Sequence, residues 1–110
     1  MTNTPVPTPV PLVSFEPVKY AACALPKEHP DYANYVVRVH YRPLHDGWEI
    51  FHAGAHGGKY LSVEGIWGTE GHFFDLDAAR VLATQAALTV VVHGRTAADV
   101  IAADKSAVVR

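Results

Sequence analysis

Residues 35–87 constrain the fold more than any other part of the chain: three short β-runs separated by glycine-bearing turns, then one helix. The clearest run is 35–42. Val37, Val39 and Tyr41 fall on one side of a pleated strand, and Val36, Arg38, His40 and Arg42 on the other. That two-residue period gives an inside face and a wet face. Pro43 stops the run, and His45-Asp46-Gly47 supplies a turn with a glycine tolerant of positive φ. The second run, 48–53, alternates Trp48 and Ile50 with Glu49 and Phe51. A longer glycine turn over 54–58 leads to the third run, 59–64, with Leu61 and Val63 on one side and Tyr60, Ser62 and Glu64 on the other. Adjacent antiparallel strands joined by short turns make a meander.

Gly65, Gly68 and Gly71 then interrupt regular structure around Trp67. Asp75 is a good N-cap for a helix over 76–87. Asp77, in the first turn, suits the positive end of the helix dipole. Leu76, Ala79, Leu82, Ala83 and Ala86 form an apolar stripe at helical spacing, and its alanines let a helix lie close to a sheet. A β-branched run over 88–93 reads as a further strand, ended by Gly94. Thr96 and Asp99 stand at the spacing of a capping box, with Asp in place of Glu, and open a short helix to about residue 103. Residues 104–110 are expected to fray.

Upstream, Pro5, Pro7, Pro9 and Pro11 alternate with Thr or Val. Proline fixes φ and removes a donor, so 1–14 is neither helix nor central strand and reads as a flexible arm. The prolines are spaced by two, so the arm carries no PxxP ligand. Residues 13–25 are apolar enough for a strand, which Pro17 confines to a sheet edge or makes start after it. Residues 26–34 read as loop. The expected order is βββαβα after that first strand candidate. It describes one α+β domain over 15–110: an antiparallel three- to four-stranded sheet, covered on one face by a helix, with a short C-terminal helix. The other sheet face is left to solvent or to a partner.

At 110 residues, a single domain buries roughly 65% of its unfolded surface and needs no disulfide or metal to fold. Much of the 49% hydrophobic content is Ala and Val, so the core is built from small side chains. The net charge of −2 lacks the bulk basic excess of nucleic-acid domains, leaving only a local basic stripe open. Seven histidines hold a reserve of positive charge that fills as the pH drops below ~6.5. The single cysteine, Cys23, excludes an internal disulfide, fits a reducing compartment and reads as a small buried residue. No secretory signal pattern opens the chain, and no apolar stretch approaches the ~20 residues of a membrane helix. A cytoplasmic protein without a membrane partner is expected.

The wet face of the first run carries Arg38, His40 and Arg42. Alternate residues lie ~6.8 Å apart on a strand, resembling the repeat of phosphates along nucleic acid, and β-ribbon readers place such side chains in a groove. The competing reading is charge pairing with Glu49 and Glu64 on neighbouring strands. His52 and His56, with His72, Asp75 and Asp77 beyond, supply zinc-compatible side chains. An i,i+4 pair converges only on a helix, however, and His52 and His56 flank a turn, so surface histidines are the simpler reading. The Gly54 to Lys59 segment lacks Walker spacing and leads into a strand, not a helix N-terminus. Ser14, Ser62 and Ser106 have no nucleophile-elbow context. No catalytic residue and no cofactor is assigned. Trp48, Phe51, Tyr60, Trp67, Phe73 and Phe74 concentrate aromatics between the second run and the helix, with Trp67 the one expected to be partly exposed. Exposed aromatics beside arginine anchor interfaces, so the expected binding surface is Arg38, His40, Arg42, Tyr60 and Trp67.

The runs YVVRVHYRPLHDGWEIF, YLSVEGIW and FDLDAARVLATQAA together resemble small uncharacterised proteins of actinobacteria and their phages. The shared pattern is strand, turn, Gly-Trp, strand, then a Phe-x-Leu-x-x-Ala helix start. It covers the middle half of the chain and transfers no functional residue. A more distant likeness is to the βββα domains at the N-termini of phage integrases, which bind DNA arm sites. This chain lacks their basic helix. The first functional reading is therefore a non-enzymatic binding module, of phage accessory type, acting through protein–protein contacts. Homodimerisation through the open sheet face or the proline arm would fit it. The second reading is DNA binding through the Arg38/His40/Arg42 strand. The third is a metal-dependent hydrolase on His52, His56 and His72.

Overall fold

The computed structural model describes residues 15–54 and 58–108; the proline arm over 1–14, the turn residues 55–57 with His56, and residues 109–110 lie outside it. In chain order the elements are β1 (Lys19–Ala22), α1 (Tyr32–Tyr35), β2 (Val37–Arg42), β3 (Gly47–His52), β4 (Lys59–Leu61), β5 (Trp67–Gly68), α2 (Leu76–Thr89) and α3 (Ala97–Val108). The strands form one five-stranded antiparallel sheet in sequential order, β1-β2-β3-β4-β5, which makes the fold an α+β meander.

The hydrophobic alternation sets the register. Val37 lies opposite His52, Val39 opposite Ile50, and Tyr41 opposite Trp48. Residues directly opposite share a face. On β1, Tyr20 and Ala22 join that face by pairing with Val39 and Val37. On β4 and β5, Leu61 and Trp67 are paired there. Against it lies α2, whose Ala79, Ala83, Ala86 and Ala87 are buried with Val37, Val39, Ile50 and Leu61. The Asp75 carboxylate accepts from the Ala78 amide at 2.7 Å and starts the helix. A second cluster (Leu25, Tyr35, Val90, Val92, Ala97 and Val100) ties α1 and α3 to the end of α2. The Tyr35 hydroxyl donates to the Arg95 carbonyl at 2.9 Å, with the Val92 carbonyl at 3.3 Å. Burial holds this phenol above its ordinary range.

Several elements differ from the expectation. The apolar run 88–93 is not a strand. Leu88 and Thr89 extend α2, and the chain then turns tightly, with Val92 bridged to Arg95. His93 and Gly94 both take positive φ at that turn, 51° and 76°. Val90 and Val92 spend their side chains on the second cluster, so an apolar β-branched run serves burial without a ladder. The glycine-broken segment around Trp67 supplies the edge strand β5, because the Ser62 amide donates to the Ile66 carbonyl at 2.9 Å and turns the chain back on β4. The loop over 26–34 ends in the single turn α1. The C-terminal helix runs on to Val108, started by the reciprocal Thr96 and Asp99 bonds that the capping-box spacing announces. The first strand starts after Pro17 and lies at the sheet edge. Among the described residues no helix is long and apolar enough to cross a membrane.

Ala83 is 1% exposed at the helix–sheet contact. Ala83→Leu forces the two layers apart and should cost about 1–3 kcal/mol, whereas Asp75→Ala removes one cap and should cost about 1 kcal/mol. Urea unfolding of both variants checks the order; an unchanged midpoint for Ala83→Leu contradicts the packing described.

Candidate functional site

The sheet's second face carries no helix among the described residues, and its strand residues come in rows set by register. One row crosses all five strands: Ala21, Arg38, Phe51, Tyr60 and Gly68. The next row is Lys19, His40 and Glu49. Arg42, opposite Gly47, ends the face. Lys19, Ala21 and Arg42 are exposed, while Arg38, His40, Phe51 and Tyr60 are half-buried.

The aromatic groups form a continuous strip. His40 and Phe51 stack with centroids 6.3 Å apart, and Phe51 meets Tyr60 at 5.3 Å with planes tilted by 52°. Gly58 lies against the edge of the Phe51 ring, where a Cβ would strike it. Beyond Tyr60 the row ends on Gly68, at which an added Cβ would meet nothing within 4 Å. The floor beside the Tyr60 ring is therefore bare.

Charge on this face is unbalanced. Lys19, Arg38 and Arg42 are its strand cations, and Glu49 is its one strand carboxylate. Arg42 Nε donates to Glu49 Oε1 at 2.5 Å. Glu49 is 5% exposed beneath this pair, and the Gly71 backbone passes so close that a Cβ there would come within 2.9 Å of Oε2. A buried carboxylate needs its cation, so Arg42 is neutralised in place. Lys19 and Arg38 have no carboxylate within ion-pair distance among the described residues. Glu64, the other neutraliser expected, is exposed and lies past the end of β4. It takes its hydrogen bonds locally: a backbone bond and the Ser62 side chain hold its carboxyl below the usual range. Burial, then Lys19, Arg42 and Arg38, hold the His40 imidazole below its ordinary value, with Glu49 pulling the other way. The buried His40 Nε2 has no hydrogen-bond partner among the described residues.

Of the five residues expected to share a surface, Arg38, His40, Arg42 and Tyr60 do so. Trp67 does not. Its pairing with Leu61 turns it to the helix side, where it packs on the core and meets His52 at 5.7 Å. Trp67 is partly exposed, as expected, but its place on the expected surface is corrected: register parity decides the face. His52 is likewise on the helix side, 7% exposed, with Nε2 2.8 Å from the Asn34 carbonyl. That bond ties β3 to α1 and makes Nε2 the protonated nitrogen. Among the described residues no three His, Cys, Asp or Glu side chains gather as a metal site would need; His56 lies outside them. Phe51 and Lys19 complete the face and were missing from the expected surface. The alternation with Ile50 could have found Phe51, whereas Lys19 depended on a first strand whose start Pro17 obscured.

No family model matches the chain, and comparison with curated proteins and with solved structures yields no match to either.

As the pH falls, the unfolded chain takes up the His40 proton first, so this residue costs stability below ~6.5 and nothing above it. NMR titration should find the imidazole below ~6.5, moving upward in Lys19→Ala, and His40→Gln should flatten the acid arm of a stability profile. An imidazole titrating at or above the ordinary value contradicts the crowding by Lys19 and the arginines.

Proposed function

We propose that the chain is a small non-enzymatic binding module whose working surface is the helix-free face of the sheet, and that its partner is polyanionic. The supporting observation is the charge imbalance of that face. A chain of net charge −2 gathers three strand cations there against one buried carboxylate. The imbalance does nothing for the fold: like charges on neighbouring strands repel, and cross-strand pairs of opposite charge are the favourable arrangement. Lys19 and Arg38 serve no carboxylate of the described residues, so their attraction is available to a ligand. The half-buried Phe51 and Tyr60 add rigid apolar area beside them, the pairing of arginine with aromatic rings that anchors interfaces.

This reading combines the first two expectations. It keeps a module that works by non-covalent contact, and it keeps the Arg38/His40/Arg42 strand as the surface. Total charge does not decide the matter, because a screened surface acts on a ligand over about 10 Å at moderate salt, and within that range the local cations dominate.

Chromatography on immobilised heparin tests it. The protein should be retained at low salt and released as salt rises. Lys19→Glu combined with Arg38→Glu should pass through, while Arg80→Glu, an exposed position on α2, should elute with the parent. Circular dichroism checks that the variants are folded. Co-elution of the double variant with the parent overturns the assignment of the surface.

A further inference from the structure

We infer that the polyanion taken by this face is single-stranded nucleic acid, its phosphates on Lys19 and Arg38 and an unstacked base on the Tyr60 ring. The inference rests on the binding surface proposed above and names its ligand. Three features of one row carry it: a cation without a carboxylate partner among the described residues, two aromatic rings, and a bare floor.

Arg38, Phe51, Tyr60 and Gly68 lie side by side across four strands. Strands are ~4.8 Å apart, so Arg38 and Tyr60 are separated by about 10 Å across the sheet. A nucleotide whose phosphate meets the guanidinium can lay its base one or two strands away. Phe51 is wedged between His40, Tyr60 and Gly58, so it serves as a fixed wall. Tyr60 has an open side, because Gly68 next to it has no side chain and an added Cβ there would meet nothing. A planar group can lie on that floor against the phenol ring. Lys19, in the adjoining row, reaches the next phosphate.

The same geometry chooses among polyanions. An acidic protein segment satisfies Lys19 and Arg38 but brings a flat group to the Tyr60 ring only where an aromatic side chain stands beside its carboxylates, whereas every nucleotide carries phosphate and base together. A duplex offers phosphates, yet its base faces are stacked on one another and closed to a protein ring. Its major groove, ~12 Å wide, admits a helix or a two-stranded ribbon, and this face is five strands broad. Of these three polymers, the splayed single strand presents phosphate and base face together along its whole length, the combination of cationic groove and stacking ring that single-strand binders use. Guanidinium, ammonium and ring contacts read neither the base edge nor the 2′-hydroxyl, so DNA and RNA of one sequence should bind alike.

Fluorescence anisotropy with a labelled mixed-sequence single-stranded DNA, the same sequence as RNA, and its blunt duplex tests this on the full chain. Both single strands should bind within about threefold of each other and at least tenfold tighter than the duplex. Raising salt from ~50 to ~200 mM should weaken binding by about tenfold, the expectation for two to three phosphate contacts on a single strand. Tyr60→Ala should lose about tenfold or more, as removal of one stacking ring does, while Tyr60→Phe, which keeps the ring, should stay near the parent. Arg80→Ala should change nothing. Equal affinity for the duplex, or unchanged binding in Tyr60→Ala, overturns the inference. Heparin retention that still depends on Lys19 and Arg38 would then leave the polyanion surface standing with an acidic protein as its ligand. Failure to bind both heparin and oligonucleotide rejects surface and ligand together.

Discussion

The close approach of α2 to the sheet governs the rest of the structure. Ala79 and Ala83 are almost without exposure where they meet Val37, Val39 and Ile50. Alanine gives little transfer energy per residue, so a contact built on it stabilises through proximity: small side chains bring two layers together and let the larger Val, Ile and Leu of the strands make their dispersion contacts. Because one helix closes one face in this way, the core residues of the central strands, Val37, Val39, Ile50 and Leu61, are drawn to that side. The period of two then delivers every intervening residue to the other side. The positions of Arg38, Phe51 and Tyr60 are thus a consequence of where the alanines lie.

The second cluster has a different task. Tyr35 and Val100 hold α1 and α3 at the end of α2, with the Tyr35 hydroxyl bonded to the tight turn after it. A hydrogen bond from His29 Nε2 to the Asp104 carboxylate, 2.7 Å long, spans the loop before α1 and the far part of α3. These contacts keep the helices on the covered side, away from the rows that carry the cations. The open face is tied down in its turn by the Arg42 pair with Glu49 and by the Gly71 backbone that passes over that carboxylate.

Much of this was legible in the sequence. The alternation through Val37, Val39 and Tyr41, the stop at Pro43, the cap at Asp75 and the alanine stripe each point to one local structure, and the fold class follows from their order. What was hidden lay where two physical needs look alike in composition. The run 88–93 is apolar and β-branched whether it pairs in a ladder or only fills a core around a turn. The two residues of β5 are too few to show a period, and their pairing depends on the Ser62 to Ile66 turn. Trp67 followed from that same omission, since a residue in an unrecognised strand has no face. Most of the site was readable because β2 was; Phe51 was within reach of the alternation with Ile50, and Lys19 required β1 in register.

The asymmetry of the sheet is what matters: α2 seals one side, while among the described residues no helix covers the other. Hydroxyl-radical footprinting of the free, dilute protein tests it most directly, since oxidation reports side-chain access residue by residue. Tyr60 should be modified readily and Phe51, wedged beside it, to a lesser extent, while Ile50, Leu61 and Val37, their neighbours on the same strands and on β2, should be protected. Protection of Tyr60 and Phe51 equal to that of Ile50 would show that the second face is covered and that no ring there is free to take a ligand.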